Sequence, residues 1–264
     1  MGLKTRFLQE IWFFLSVKFA YNKPVTIFSF LAGAGATLGL WQVARRAQSQ
    51  HTRRLLDYGT LVLLAALLGA RVFYVVVHGA YYAAHPLEAV EIWLGGLSWP
   101  GAAMGAILEL IILSLARRYP LGWLADGLSP LIGPVAIALF LGCWQAGVMY
   151  GQALPNGSLG FPTVDEAGAV SVRVPLQLIC ALGLLVYLWI AEHALAPLDG
   201  KRSYPGLRAS LFSLGLGLAL LAAESLRADP VPYWGSLSVD TWCAYGLIAL
   251  SLLGVFASLV RIKR

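Results

Sequence analysis

Four ionisable residues stand inside stretches that are otherwise apolar. Arg71 lies within LLGARVFYVVV, Glu109 within GAILELIIL, Asp126 within WLADGLSP and Glu224 within LLAAESLRADP. Charged groups in such surroundings are costly, and they concentrate at functional sites. A guanidinium there could hold a phosphate, because its planar fork matches phosphate oxygens. The carboxyls could pair with that guanidinium. Three arrangements are open: an ion pair that locks helix positions, a polar cavity for a lipid head group, or snorkelling to the interface for Asp126 and Glu224. Gln145, within GCWQAG, adds an amide that should bond across to a neighbouring helix or line a cavity. Cys143, Cys180 and Cys243 show no CxxC or Cys/His spacing, so they read as small buried hydrophobes. No disulfide, metal site or cofactor is expected.

Long apolar helices must position these groups. Hydrophobic residues make up 59% of the chain and charged ones 12%, where soluble domains run to roughly a quarter charged. Apolar runs of about 20 residues recur, long enough to cross a hydrocarbon core. The reading is an all-α integral membrane protein with seven spans, near 25–43, 56–77, 101–116, 130–150, 174–193, 206–226 and 242–260. Residues 25–264 form one helical domain. Residues 1–24 precede it and carry an amphipathic stretch, IWFFLSVKFAY at 11–21, expected to lie along the interface. Small residues at 32–39, 101–107 and 133–142 permit close helix packing. Trp93, Trp99, Trp144, Tyr81, Tyr82 and Tyr150 suit an aromatic belt.

The net charge of +6 is not gathered into one stripe. Basic residues cluster at span ends, which fits anionic lipid head groups rather than nucleic acid. Arg45, Arg46, Arg53, Arg54, Arg117, Arg118, Lys201, Arg202, Arg208, Arg261, Lys263 and Arg264 fall on one side. The other side, from residue 79 onward, has Arg173 and Arg227 but also Glu88, Glu91, Asp165, Glu166, Asp229 and Asp240. The positive-inside rule then sets the C-terminus in the cytoplasm and the N-terminus outside. Lys4, Arg6, Lys18 and Lys23 run against this bias.

Several stretches together resemble the bacterial prolipoprotein diacylglyceryl transferase family. GARVFYVVVHGAYYAAHPLEAVEIWLGGLS at 69–98 is similar to the family's Gly-Ala-Arg helix, His-Pro-Leu-Glu turn and Gly-Gly-x-Ser loop. WLADGLSP at 123–130, GCWQAGVMYG at 142–151, VPLQL at 174–178, ESLRADP at 224–230 and LSVDT at 237–241 follow in the family's order. The resemblance implies seven spans in a bacterial inner membrane. It also implies transfer of a diacylglyceryl group from phosphatidylglycerol to a lipobox cysteine thiol, with glycerol phosphate leaving. That chemistry needs a thiolate nucleophile, a cation on the phosphate and a proton handler.

The positions that would supply the last two are replaced. Where the family places a histidine after the Gly-Gly-x-Ser loop, this chain has Pro100. The arginine of the Gly-Arg-x-Gly signature corresponds to Phe140, and a second arginine near the sixth-span glutamate corresponds to Leu220. The first-span Tyr-Gly pair is absent, since that region reads IFSFLAG. Proline, phenylalanine and leucine neither titrate nor bind phosphate. The expectation is a catalytically silent relative that binds phospholipid, or that serves as a subunit or assembly factor of a membrane complex with lipoprotein or other membrane partners. The alternative is an active transferase in lipoprotein biosynthesis using His78, His85, Arg71, Arg173 or Arg227. Arg71, Gly95, Gly96, Ser98, Gln145, Tyr150, Gln177, Glu224 and Arg227 are the candidates for lipid or phosphate contact. Glu109 and Asp126 are further buried charges.

Overall fold

The computed structural model describes residues 24–92, 95–155, 160–164, 169–198 and 204–260. The amphipathic stretch 11–21 and Trp93 lie outside these residues. A chain in hydrocarbon must satisfy its backbone N–H and C=O groups internally, and a helix does so within each segment. The apolar runs accordingly form α1 (Pro24–Arg46), α2 (Thr52–Val77), the short α3 (Gly79–Ala84), α4 (Trp99–Arg117), α5 (Leu121–Leu128), α6 (Ile132–Ala146), α7 (Leu176–Leu195), α8 (Leu207–Leu226) and α9 (Val239–Val260). Among the described residues seven helical segments are long and apolar enough to span, the fourth being α5 and α6 together.

That fourth span differs from the expected 130–150. It starts at Leu121, because Pro130 does not break it. Pro130 occupies a 3₁₀ turn, Ser129–Leu131, where a missing N–H is harmless, and Ser129 Oγ donates to the Asp126 carbonyl at 2.8 Å. The span ends at Ala146, because Gly147 turns left-handed at φ 68°. The Gly147 and Val148 amides then close on the carbonyls of Trp144 and Cys143. Two small antiparallel hairpins were not foreseen. One pairs β1 (Phe161–Val164) with β2 (Val170–Arg173), the other β3 (Tyr233–Trp234) with β4 (Leu237–Ser238).

The small residues act through backbone approach. A Cβ on Gly101 would sit 2.2 Å from the Gly69 carbonyl oxygen, and one on Gly105 2.2 Å from that of Ala65. α2 and α4 therefore touch main chain to main chain. α1 meets α6 in the same way, since a Cβ on Gly35 would lie 2.7 Å from the Pro134 oxygen. Two apolar clusters result. One joins α1, α2, α4 and α5 through Val43, Leu55, Tyr58, Leu113, Leu124 and Leu128. The other joins α6, α7, α8 and α9 through Phe140, Leu176, Leu184, Phe212, Leu220 and Ala244. Leucines and valines also cover the outward faces, with Val76, Leu115 and Leu253 well exposed, as lipid contact requires.

The spans alternate in direction, so their connections sort into two ends. The short ones, 47–51 and 118–120, lie with the described residues 196–198 and 204–206 beside Arg45, Arg46, Arg53, Arg54, Arg117, Arg118 and Arg208. The long ones, 78–98, 147–175 and 227–238, gather at the other end with both hairpins. Gly105→Val should destabilise the protein by about 1–3 kcal/mol through overpacking. Gly33→Ala, with nothing within 4 Å of its Cβ, should stay within about 0.5 kcal/mol. Thermal unfolding in detergent measures both, and equal melting of the two variants would refute the backbone contact.

Candidate functional site

The loop-rich end is organised by Arg71. It lies in the last turns of α2, is 5% exposed, and aims its whole fork at the connection to α4. Nε donates to the Ala89 carbonyl at 2.9 Å, Nη1 to Gly95 at 2.6 Å and Gly96 at 3.1 Å, and Nη2 to the Glu88 carbonyl. The Tyr82 ring covers the guanidinium at 5.3 Å. Arg71 thus meets backbone oxygens and not a carboxylate side chain, which corrects the expected ion pair. The connection is shaped to receive it. Gly95 and Gly96 have φ of 92° and 68°, in the left-handed region that favours glycine. A Cβ on Gly96 would lie 2.6 Å from Nη1 of Arg71. The Ser98 amide then bonds the Ala70 carbonyl at 3.2 Å, seating the start of α4 against α2.

Beside it stands an aromatic ladder in which Tyr74 stacks on His78 and Tyr81 on His85. The two histidines turn Nδ1 to the carbonyls of Tyr74 and Tyr81. Tyr81 donates to the Glu88 carboxylate at 2.7 Å. That bond, with a small contribution from burial and the charge of Glu88, raises the Tyr81 phenol above the usual tyrosine value.

A second centre forms where α8 leaves the bundle. Arg227 Nη1 donates to Glu224 at 2.6 Å and Asp240 at 3.2 Å, while Nε and Nη2 take both oxygens of Asp229 at 2.8 and 2.6 Å. Burial works against the Arg227 cation. The hydrogen bond to Asp229 and the charges of Glu224 and Asp229 outweigh it and hold the group above its ordinary value. Ser238 Oγ donates to the other oxygen of Glu224. Asp229 also accepts from the Met149 amide at 3.1 Å, tying this cluster to the end of α6. Tyr150 is buried there; its carbonyl accepts from the Ala228 amide, and Arg173 lies 4.3 Å over its ring. Gln177, 1% exposed, donates Nε2 to the Val148 carbonyl at 2.8 Å. The sequence reading missed Asp229, Asp240 and Ser238 as members of this network. Their signal was an excess of carboxyls around one arginine.

The remaining sequence candidates lie apart from these centres. Asp126 is at the short-connection end, where it accepts from the amides of Gly206 at 2.6 Å and Ala209 at 2.9 Å. It caps the N-terminus of α8 from another helix and does not snorkel. Glu109 lies mid-way along α4, and among the described residues it makes no hydrogen bond or ion pair. Gln145 is exposed near the end of α6 and makes no bond across to a neighbouring helix among the described residues. Two members of the expected aromatic belt face inward: Tyr150 is buried, and Trp99 packs against the α6–α9 cluster with its indole Nε1 buried and lacking an acceptor among the described residues.

The sequence profile described as prolipoprotein diacylglyceryl transferase matches residues 16–257. The chain belongs to this family. It is 31% identical over 220 residues to the phosphatidylglycerol–prolipoprotein diacylglyceryl transferase of Beijerinckia indica, covering 77% of this chain and 78% of that relative. The protein of the same description from Nitrosomonas europaea is 30% identical over 232 residues, 81% and 77% of the two chains. That from Cupriavidus necator is 29% identical over 235 residues, 83% and 82%. The three positions that the resemblance matches to a histidine and two arginines have apolar surroundings. Phe140 is 4% and Leu220 5% exposed, and both sit in the α6–α9 cluster with Leu176, Cys180 and Ala223. Pro100 is fully buried at the start of α4, next to Trp99, which packs on the same cluster.

Arg71→Met would leave several carbonyls without a donor and should cost about 3 kcal/mol. Arg71→Lys should recover only part of this, because a point charge cannot reach all of them. Denaturant titration with proteolysis of the 86–98 connection reads both, and unchanged protection in Arg71→Met would contradict the clamp. Glu88→Ala should move the Tyr81 titration down toward ordinary tyrosine, seen as tyrosinate absorbance against pH.

Proposed function

We propose that this family member performs no diacylglyceryl transfer and acts as a membrane-embedded binding subunit. It would hold a phospholipid, phosphatidylglycerol by analogy with the substrate in its relatives' names, or a membrane-protein partner. One observation carries the reading: Phe140 and Leu220 are packed into a single apolar cluster, and Trp99 brings Pro100 to its edge. The resemblance places a histidine and two arginines at these positions. Transfer needs a group to accept the thiol proton and a cation to stabilise the departing phosphate. A dry cluster of aliphatic and aromatic side chains supplies neither. The two arginines best placed to substitute are engaged, Arg71 by main-chain oxygens and Arg227 by Glu224, Asp229 and Asp240.

The positive-inside rule adds an orientation. The arginines gathered at the short-connection end support a cytoplasmic position for it. The loop-rich end, with Arg71 and Arg227, then faces outward.

The names of the relatives favour a second reading, an active transferase with displaced groups. His78 and His85 would handle the proton, since both sit at the loop-rich end on either side of α3. A transfer assay separates the two. Purified protein is given phosphatidylglycerol and a lipobox peptide, and the peptide mass is followed, with an ordinary family member as positive control. No mass shift is expected, and Pro100→His with Phe140→Arg and Leu220→Arg should unfold the protein rather than restore activity. Diacylglyceryl addition by the unaltered chain would overturn the binding-subunit reading.

A further inference from the structure

Glu109 is at the wrong depth to be ordinary. It lies eight residues before Arg117 and ten after Trp99 in α4, about 12 Å and 15 Å from the two helix ends. A glutamate side chain is too short to reach either interface from there. Among the described residues no cation or hydrogen-bond donor meets it. The antiparallel register set by Gly101 against Gly69 and Gly105 against Ala65 places Glu109 one turn further on, level with Leu61 of α2. It is half-buried, and its neighbours Leu108 and Ile112 on α4 and Leu61, Leu64 and Leu68 on α2 are each 44–59% exposed. The α2–α4 pair therefore presents lipid with a broad aliphatic surface bearing one carboxyl group near mid-membrane.

We propose that this face docks a transmembrane helix of another protein that carries a lysine or arginine at mid-membrane. The occupant follows from charge and depth. A carboxyl group in hydrocarbon finds its partner in a cation at the same level. Lipid head groups stay at the interface and do not reach it. A second copy of this chain does not supply the partner either. In a two-fold pair the same face of each copy would meet the other, and that face carries no cation among the described residues. The chain's own cations lie at span ends, apart from Arg71, which its carbonyl ligands already hold. This surface is remote from Pro100, Phe140 and Leu220, so it stands or falls separately from the binding-subunit reading above.

The test uses the full chain in phosphatidylcholine vesicles, labelled with a donor fluorophore. Acceptor-labelled poly-leucine spanning peptides carry arginine, glutamine or leucine at their centre. The arginine peptide should associate about tenfold more tightly than the leucine peptide. Glu109→Leu should abolish that preference, and Glu109→Asp should keep most of it. Glu109→Leu puts an aliphatic side chain into lipid, so the variant should fold, and its melting temperature verifies this. Equal association of all three peptides, or a preference that survives in Glu109→Leu, would overturn the proposal. A glutamine peptide that binds as well as the arginine peptide would also sink it, because hydrogen bonding without charge would then suffice. Energy transfer between donor- and acceptor-labelled copies of the chain that Glu109→Leu abolishes would assign the face to self-association instead.

Discussion

The connection between α2 and α4 depends on one buried guanidinium. The carbonyls of Glu88, Ala89, Gly95 and Gly96 all accept from Arg71. A lysine could not serve them all, since its donors spread from a single point. Gly96 follows from this contact, because a Cβ there would lie 2.6 Å from the fork, while Gly95 is favoured by its left-handed φ of 92°. The start of α4 is then fixed against α2, and the glycine contacts at 101 and 105 carry that closeness down the helix pair. An arginine that looks like a phosphate ligand in the sequence is, in the fold, the donor for a loop.

Arg227 repeats the principle with side chains. Burying one cation with three carboxyls is tolerable only because its donors are matched to acceptors and Ser238 helps satisfy Glu224. The network joins the ends of α6, α8 and α9, so the loop-rich end is braced by two arginines facing inward. Phe140, Leu176 and Leu220 share one apolar cluster, so the interior of α6, α7 and α8 is held by hydrophobic contacts rather than by charge.

Much of the architecture was legible before any coordinates. Span length and apolar content alone located the helices, because hydrocarbon thickness leaves few solutions. The expected fourth span begins at Pro130, but a 3₁₀ turn absorbs the proline and the span starts at Leu121. The hairpins escaped because two- to four-residue strands leave almost no periodic trace. Of the site, the participation of Arg71, Glu224 and Arg227 was visible as charge in apolar surroundings. Their partners were not, since main-chain carbonyls have no sequence signature.

The sequence by itself determined the seven spans, the lopsided distribution of arginines, the family, and the apolar residues at Pro100, Phe140 and Leu220. These are properties of single positions or of local periodicity. Only the tertiary structure decided that Phe140 and Leu220 share one cluster, that Asp126 caps a helix beginning eighty residues later, and that Glu109 alone among the four charges in the apolar runs meets no partner among the described residues. Each of these depends on which helices lie side by side. Packing of small residues at particular crossings sets that, and spacing along the chain does not.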